Sequence, residues 1–313
     1  MSAAAAAVSR RAPWRSSILA ALAVTLGHPA SWAFGLAGFL AGGGIVVVAW
    51  PIVVLPTPTG LQNLLGAPVS TLVFGSPSAA LTVLVVAAGI AVLVAVVLGT
   101  WIGAWAELQG IRSVLAAAAD EGIVTPAEPG RRGAGPVAAV RLLSLVPVLA
   151  AAVLAWTPIY DAAYRELILP SELVTPLPLR VIREVPGPLA LVIVTWLLSD
   201  AAAAVGVRRL VLDGRGPVAA WLLGWAGLAR QPHRVLATAV IGLAALSLVV
   251  APPLLAASLG WTRVQEVMVG GGEPVAVLVL VIAWVGVWLG GLVLAGVGAA
   301  FRAAAWTLGA ARG

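Results

Sequence analysis

The carboxylate of Asp200 closes the run Trp196-Leu197-Leu198-Ser199-Asp200, inside a long apolar stretch. A charged side chain at the centre of a membrane-crossing helix costs about 2.5–3.5 kcal/mol on insertion scales, so it faces a helix-bundle interior or a wet cavity. There it can pass a proton or hold a ligand. It can also be purely structural, because Arg208 and Arg209 follow about two helical turns later and could partner it. Glu107 ends another apolar stretch five residues before Arg112, where interfacial water would solvate it. Asp200, Glu107, Arg208 and Arg209 are therefore the candidate intramembrane polar site. The two histidines, His28 and His233, each sit beside a proline and could titrate near neutral pH. At such breaks they read as local hydrogen-bonding groups.

Catalytic patterns are scarce. Every one of the 18 basic residues is arginine, so a phosphate-binding loop that needs lysine is excluded. His-Glu-x-x-His and Gly-x-Ser-x-Gly do not occur, and two distant histidines make a zinc site improbable. No cysteine is present, which excludes disulfides, thiolate metal sites and a cysteine nucleophile. Asp120-Glu121 reads as a solvated loop, and Gly270-Gly271-Gly272 as a turn. No enzyme activity, cofactor or metal is expected from this inventory.

The elements that hold these residues follow from composition. Of the 313 residues 61% are hydrophobic and 10% charged, whereas a soluble domain carries about 25% charged residues. Such a chain lacks the polar residues for a water-facing surface. The expectation is an all-α polytopic membrane helix bundle. Sustained period-two alternation is missing, which disfavours a barrel. Six apolar runs suit the roughly 30 Å of hydrocarbon. They lie at about 32–55, 79–106, 137–156, 189–207, 235–259 and 275–300.

Proline punctuates the runs. Odd runs finish near Pro51 and Pro56, Pro158, and Pro252 with Pro253; even runs begin after Pro77, Pro186 and Pro188, and Pro274. Proline suits a first helical turn and blocks continuation at the far end. Even runs leave into Arg112, Arg208 and Arg209, and Arg302. The pattern predicts three helical-hairpin repeats, about 14–115, 136–213 and 214–310, within a single integral membrane domain spanning 1–313. Two shorter apolar helices, 14–26 and 217–229, carry tryptophan and should lie in the membrane interface, with His28-Pro29 and Pro232-His233 as matching breaks. The second hairpin enters its run directly, without such a helix. Asp161 and Arg165 can pair one turn apart, with Tyr160 and Tyr164 at headgroup depth. GxxxG spacing at Gly38/Gly42, Gly99/Gly103 and Gly286/Gly290 offers sites of close helix packing.

Arginine placement sets orientation. With the N-terminus in the cytoplasm, the inner side holds Arg10, Arg11, Arg15, Arg112, Arg131, Arg132, Arg141, Arg208, Arg209, Arg215, Arg230, Arg234, Arg302 and Arg312. The outer side holds Arg165, Arg180, Arg183 and Arg263, and the loop 57–78 is uncharged. Both termini are expected in the cytoplasm, and the chain in the cell membrane. The start, Arg10 to Ala33, has the form of a signal peptide, but the apolar run that follows at once favours retention. The net charge of +6 is spread over loops, which fits attraction to anionic lipid headgroups and not nucleic-acid binding.

One stretch resembles a known family. Leu212-Asp213-Gly214-Arg215-Gly216 leads into a tryptophan-bearing helix, Trp221 to Leu228, then Arg230, Arg234 and an apolar run. This is similar to the multi-pass membrane domain ahead of the catalytic domain in some bacterial glycerophosphodiester phosphodiesterases, and to stand-alone bacterial membrane proteins related to it. Ala106 to Arg112, with the alanine-rich continuation and Gly122, fits the same pattern. The resemblance covers roughly half the chain and implies a helical membrane fold. No soluble phosphodiesterase segment occurs in the 313 residues, so no catalytic residue carries over.

Two functions from different classes follow. One is a non-catalytic membrane scaffold or partner module, in contact with membrane lipids and with another membrane or cytoplasmic protein. The other is a small transporter or permease that uses the intramembrane carboxylate Asp200 for coupling.

Overall fold

The computed structural model describes residues 14–52, 71, 75, 78–124, 133–172 and 175–311. Arg10, Arg11, Pro56, Pro77, most of the uncharged loop 57–78, Arg131, Arg132 and Arg312 lie outside them. The described residues are helical, with no strand among them.

In chain order the helices are α1 (Trp14–Gly27), α2 (Ala30–Phe39), α3 (Ala79–Asp120), α4 (Ala134–Leu143), α5 (Leu145–Ile168), α6 (Leu177–Glu184), α7 (Pro186–Leu212), α8 (Pro217–Arg230), α9 (Pro232–Val269) and α10 (Pro274–Ala311). Beyond α2 the chain stays helical to Ile52 through a wide turn at Leu40–Gly44. Gly43 takes a φ of +100° there, which its lack of a Cβ permits. Among the described residues six helices are long and apolar enough to cross a membrane: Ala30–Ile52, Ala79–Asp120, Ala134–Ile168, Pro186–Leu212, Pro232–Val269 and Pro274–Ala311.

Helix starts follow the proline pattern: α7, α8, α9 and α10 each begin on a proline, whose missing N–H has no intrahelical partner there. Gly214, at φ +65°, turns the chain between α7 and α8. Helix ends depart from the pattern. Pro158 lies inside α5, and Pro252 and Pro253 lie inside α9, which runs on to Val269. Proline removes one N–H and crowds the carbonyl four residues back. In apolar surroundings no water would satisfy the backbone of a broken helix, so the helix continues past the defect. Gly291 of α10 gives Pro253 its room, since a Cβ at 291 would come within 3.0 Å of the Pro253 Cβ.

Helix contacts divide the chain into two compact units. The first comprises Met1–Pro51, Trp101–Arg141 and Ala201–Gly313. The second comprises Ile52–Thr100 and Leu142–Asp200.

In the first unit the end of α3 packs on two faces. Ala104, Leu108, Ile111 and Leu115 recur at spacings of four, three and four residues, one stripe of a helix. They join Val137, Ala138 and Val140 of α4, Val207, Leu210 and Val211 of α7, and Ala220 of α8. Val114, Ala117 and Ala118 instead meet Ala21 and Val24 of α1 and Ala304, Ala305 and Leu308 of α10. Backbones approach closely at two glycine contacts. A Cβ on Gly224 of α8 would land on the carbonyl oxygen of Ala202, and one on Gly296 of α10 would lie 2.8 Å from that of Trp32. Of the GxxxG positions, Gly42, Gly286 and Gly290 face open space, and Gly38 and Gly103 make only ordinary contacts. Spacing alone does not say which glycine meets a neighbouring backbone. Tryptophans tie the α2 continuation and the long helices together: Trp288 Nε1 donates to Val48 O at 2.9 Å and Trp284 Nε1 to Ala257 O at 2.8 Å.

In the second unit none of the residues of α3 from Ala79 to Thr100 is buried. Trp156, Tyr160 and Tyr164 stack at successive turns of α5, with ring centroids 6.0 and 6.2 Å apart. Arg180 of α6 is buried and its guanidinium nitrogen lies 2.8 Å from Glu166 Oε2, which also accepts the Ser171 N–H. Arg165 forms its ion pair with Glu184 of α6, not with the Asp161 side chain; Asp161 offers it a backbone carbonyl at 3.4 Å. The carboxylate on α6 gives Arg165 a second helix to hold, which a partner one turn away cannot do.

Candidate functional site

Glu107 is reached by two arginines from two other helices, and both lie far from it in sequence. The packing of the first core explains the meeting. Glu107 precedes Leu108 on α3, Arg141 follows Val140 on α4, and Arg208 follows Val207 on α7. Each charged residue is thus the chain neighbour of a core residue. When the three apolar stripes close on one another, the three charged heads arrive at one edge.

The geometry is tight. Arg141 Nε donates to Glu107 Oε2 at 2.8 Å and Arg141 Nη2 to Oε1 at 2.7 Å, a fork matched to the carboxylate. Arg208 Nη1 donates to the same Oε1, and also to Ala204 O on its own helix at 3.2 Å. Arg208 Nη2 reaches Ala303 O on α10 at 3.5 Å. The Glu107 side chain is 11% exposed, that of Arg208 2% and that of Arg141 27%. Arg302, next to Ala303, adds a further positive charge close enough to act on Arg208.

Chemically this is a clamp. Both oxygens of Glu107 accept guanidinium N–H groups, two at Oε1 and one at Oε2. Three helices are joined by one carboxylate, and α10 joins through a carbonyl. Burial makes the bonds of Arg208 costly to lose.

The sequence candidates fall in different places. Glu107 and Arg208 come together in the clamp. Arg209, one residue on, turns to the exposed side of α7 and pairs with Asp213 at 3.2 Å, one turn away. Arg208 is taken by Glu107 and Arg209 by Asp213, so these two arginines do not make the pairing with Asp200 considered from sequence. Asp200 is half-buried on α7, at the end of the second unit. Sequence reasoning missed Arg141. Its signal was present: an arginine four residues into a run taken as membrane-spanning, where a charge needs a partner. Among the described residues no three His, Asp or Glu side chains gather as a metal site. His28 is half-buried at the α1–α2 break, with Nδ1 3.3 Å from Val24 O and 3.9 Å from Glu121 Oε1. His233 is exposed in the first turn of α9.

Comparison of the chain with protein-family models, with curated proteins and with solved structures finds no match.

Proposed function

We propose that the chain is a multi-pass protein of the cytoplasmic membrane that acts as a non-catalytic scaffold or partner module. In this reading the apolar helices thread the bilayer six times as three hairpins, both termini lie in the cytoplasm, and α1 and α8 rest at the inner interface. It contacts membrane lipids and a second membrane or cytoplasmic protein. The observation that carries it is the closed clamp: three guanidinium N–H bonds engage the carboxylate of Glu107 in holding α3, α4 and α7 together. Such a clamp suits a rigid platform.

The competing reading is a small transporter coupled through Asp200, favoured by the half-buried carboxylate in an apolar helix. A flux assay separates the two. Full-length protein in liposomes that hold a pH-sensitive dye, under an imposed potential, should show no proton leak above empty vesicles. Asp200→Asn should behave identically. A wild-type proton flux abolished in Asp200→Asn would replace the scaffold with the transporter.

Orientation is tested separately. Reporter fusions after Leu65 and after Gln265 should read as external, because the first lies in an uncharged loop and the arginine-rich loops stay inside. An internal signal at either site would remove the topology.

A further inference from the structure

A cavity of about 390 Å³ opens among α1, α7, α8, α9 and α10, wholly within the first unit. This volume lies in the range of small-molecule sites. Arg209 from the last turn of α7, Arg215 from the turn after it, Arg230 from the last turn of α8 and Arg234 from the first turn of α9 all line it. Among the described residues Asp213 is the one carboxylate of the lining, and Arg209 already holds it at 3.2 Å. Arg230 makes no ion pair among the described residues, and Arg234 holds only the side-chain oxygen of Gln231, at 3.4 Å. Gly214 at φ +65° makes the turn that carries Asp213 and Arg215 to the rim.

The rest of the lining is built to stay put. Trp14 Nε1 donates to Thr238 Oγ1 at 2.9 Å, and that hydroxyl donates to Arg234 O at 2.9 Å, so α1 is pinned to the start of α9 beside the arginines. Trp306 of α10 is 7% exposed, and its indole N–H is buried without an acceptor among the described residues. A buried donor left unpaired is costly. Four guanidinium groups around one engaged carboxylate make a lining that favours an anion. The fork of arginine matches the oxygens of a phosphate.

We propose that this cavity binds a phosphoryl group, carried either by an anionic phospholipid headgroup or by a soluble phosphate ester. The site depends only on the arrangement of α1 and α7–α10 and stands whether or not the protein is a scaffold. The same basic character between helix ends is what recognises lipid headgroups in membrane proteins generally.

The test uses purified full-length protein in a neutral detergent. Binding of short-chain phosphatidylglycerol, short-chain phosphatidylcholine, glycerol phosphate and inorganic phosphate is read by native mass spectrometry and by titration. Wild type should bind a phosphoryl probe in preference to the zwitterionic phosphatidylcholine. The pair Arg230→Ala with Arg234→Ala should weaken that binding at least about tenfold, the scale of losing charge-assisted hydrogen bonds. Arg230→Lys with Arg234→Lys should keep most of it, and Arg263→Ala, outside the cavity, should change nothing. Tight binding of phosphatidylglycerol alone assigns the ligand to the lipid; equal binding of glycerol phosphate or inorganic phosphate assigns it to a soluble ester. Absence of binding by wild type overturns the proposal. So does binding that survives the double alanine pair, or that falls equally with Arg263→Ala.

Discussion

Glu107→Ala should destabilise the protein by about 3 kcal/mol, the lower end of the cost of breaking a buried ion pair from one side. The lower end applies because Arg141 is 27% exposed and can be partly solvated. Arg208 cannot: its side chain is 2% exposed, and it would keep a charge with only carbonyl oxygens to receive it. The measurement is thermal unfolding of detergent-purified protein, followed by the yield of monodisperse protein. Glu107→Gln keeps one accepting oxygen and should fall between alanine and wild type. The triple replacement Glu107→Leu, Arg141→Met and Arg208→Met should recover much of the loss, because well-packed apolar residues replace a buried ion pair at little cost. An unchanged unfolding temperature in Glu107→Ala would mean that the carboxylate holds nothing together.

The second large effect is a reversal of sign at glycine. Gly224→Ala places a Cβ on the Ala202 carbonyl oxygen, and Gly206 makes the reciprocal approach to Ala220 O, where a Cβ would lie at 2.8 Å. Both obstacles are backbone, so relief requires α7 and α8 to separate. Overpacking of this kind costs about 1–3 kcal/mol. That outweighs the gain of roughly 1 kcal/mol in helix propensity from glycine to alanine. At Gly290 the same change meets open space, so only the propensity gain remains. Gly224→Ala should therefore lower the unfolding temperature and Gly290→Ala should raise it. If both move it in the same direction, the close crossing of α7 and α8 is not what the glycine serves.

Much of the fold was legible in the sequence, and for a specific reason. A run such as Ala79–Trp105 carries no charge, and length with apolarity is a local property. Helix starts at Pro186, Pro217 and Pro274 were equally local, whereas Pro232, read as part of a break, opens α9. Helix ends at Pro158 and Pro252 were not, because whether a helix survives proline depends on what surrounds it. The clamp was half legible. Glu107 and Arg208 stood out as charges near apolar runs, but 101 residues separate them, and no pattern along the chain says which helices will touch. Arg141 was counted as an orienting charge, and its use as a forked partner depends on α4 lying beside α3. Likewise Gly224 looked like any other glycine until a neighbouring carbonyl was seen against it.

The length of α3 carries a last consequence. Its 42 residues extend about 63 Å, roughly twice the hydrocarbon thickness. From Ala79 to Gly103 it is apolar with no buried residue, and the packed residues follow only from Ala104. In the proposed bilayer this gives the helix an oily sleeve longer than ordinary acyl chains require. Lipids with longer tails would match it upright, and shorter ones would make it lean. The apolar length from Ala79 to Gly103 would thus set how far this stretch leans in bilayers of different thickness.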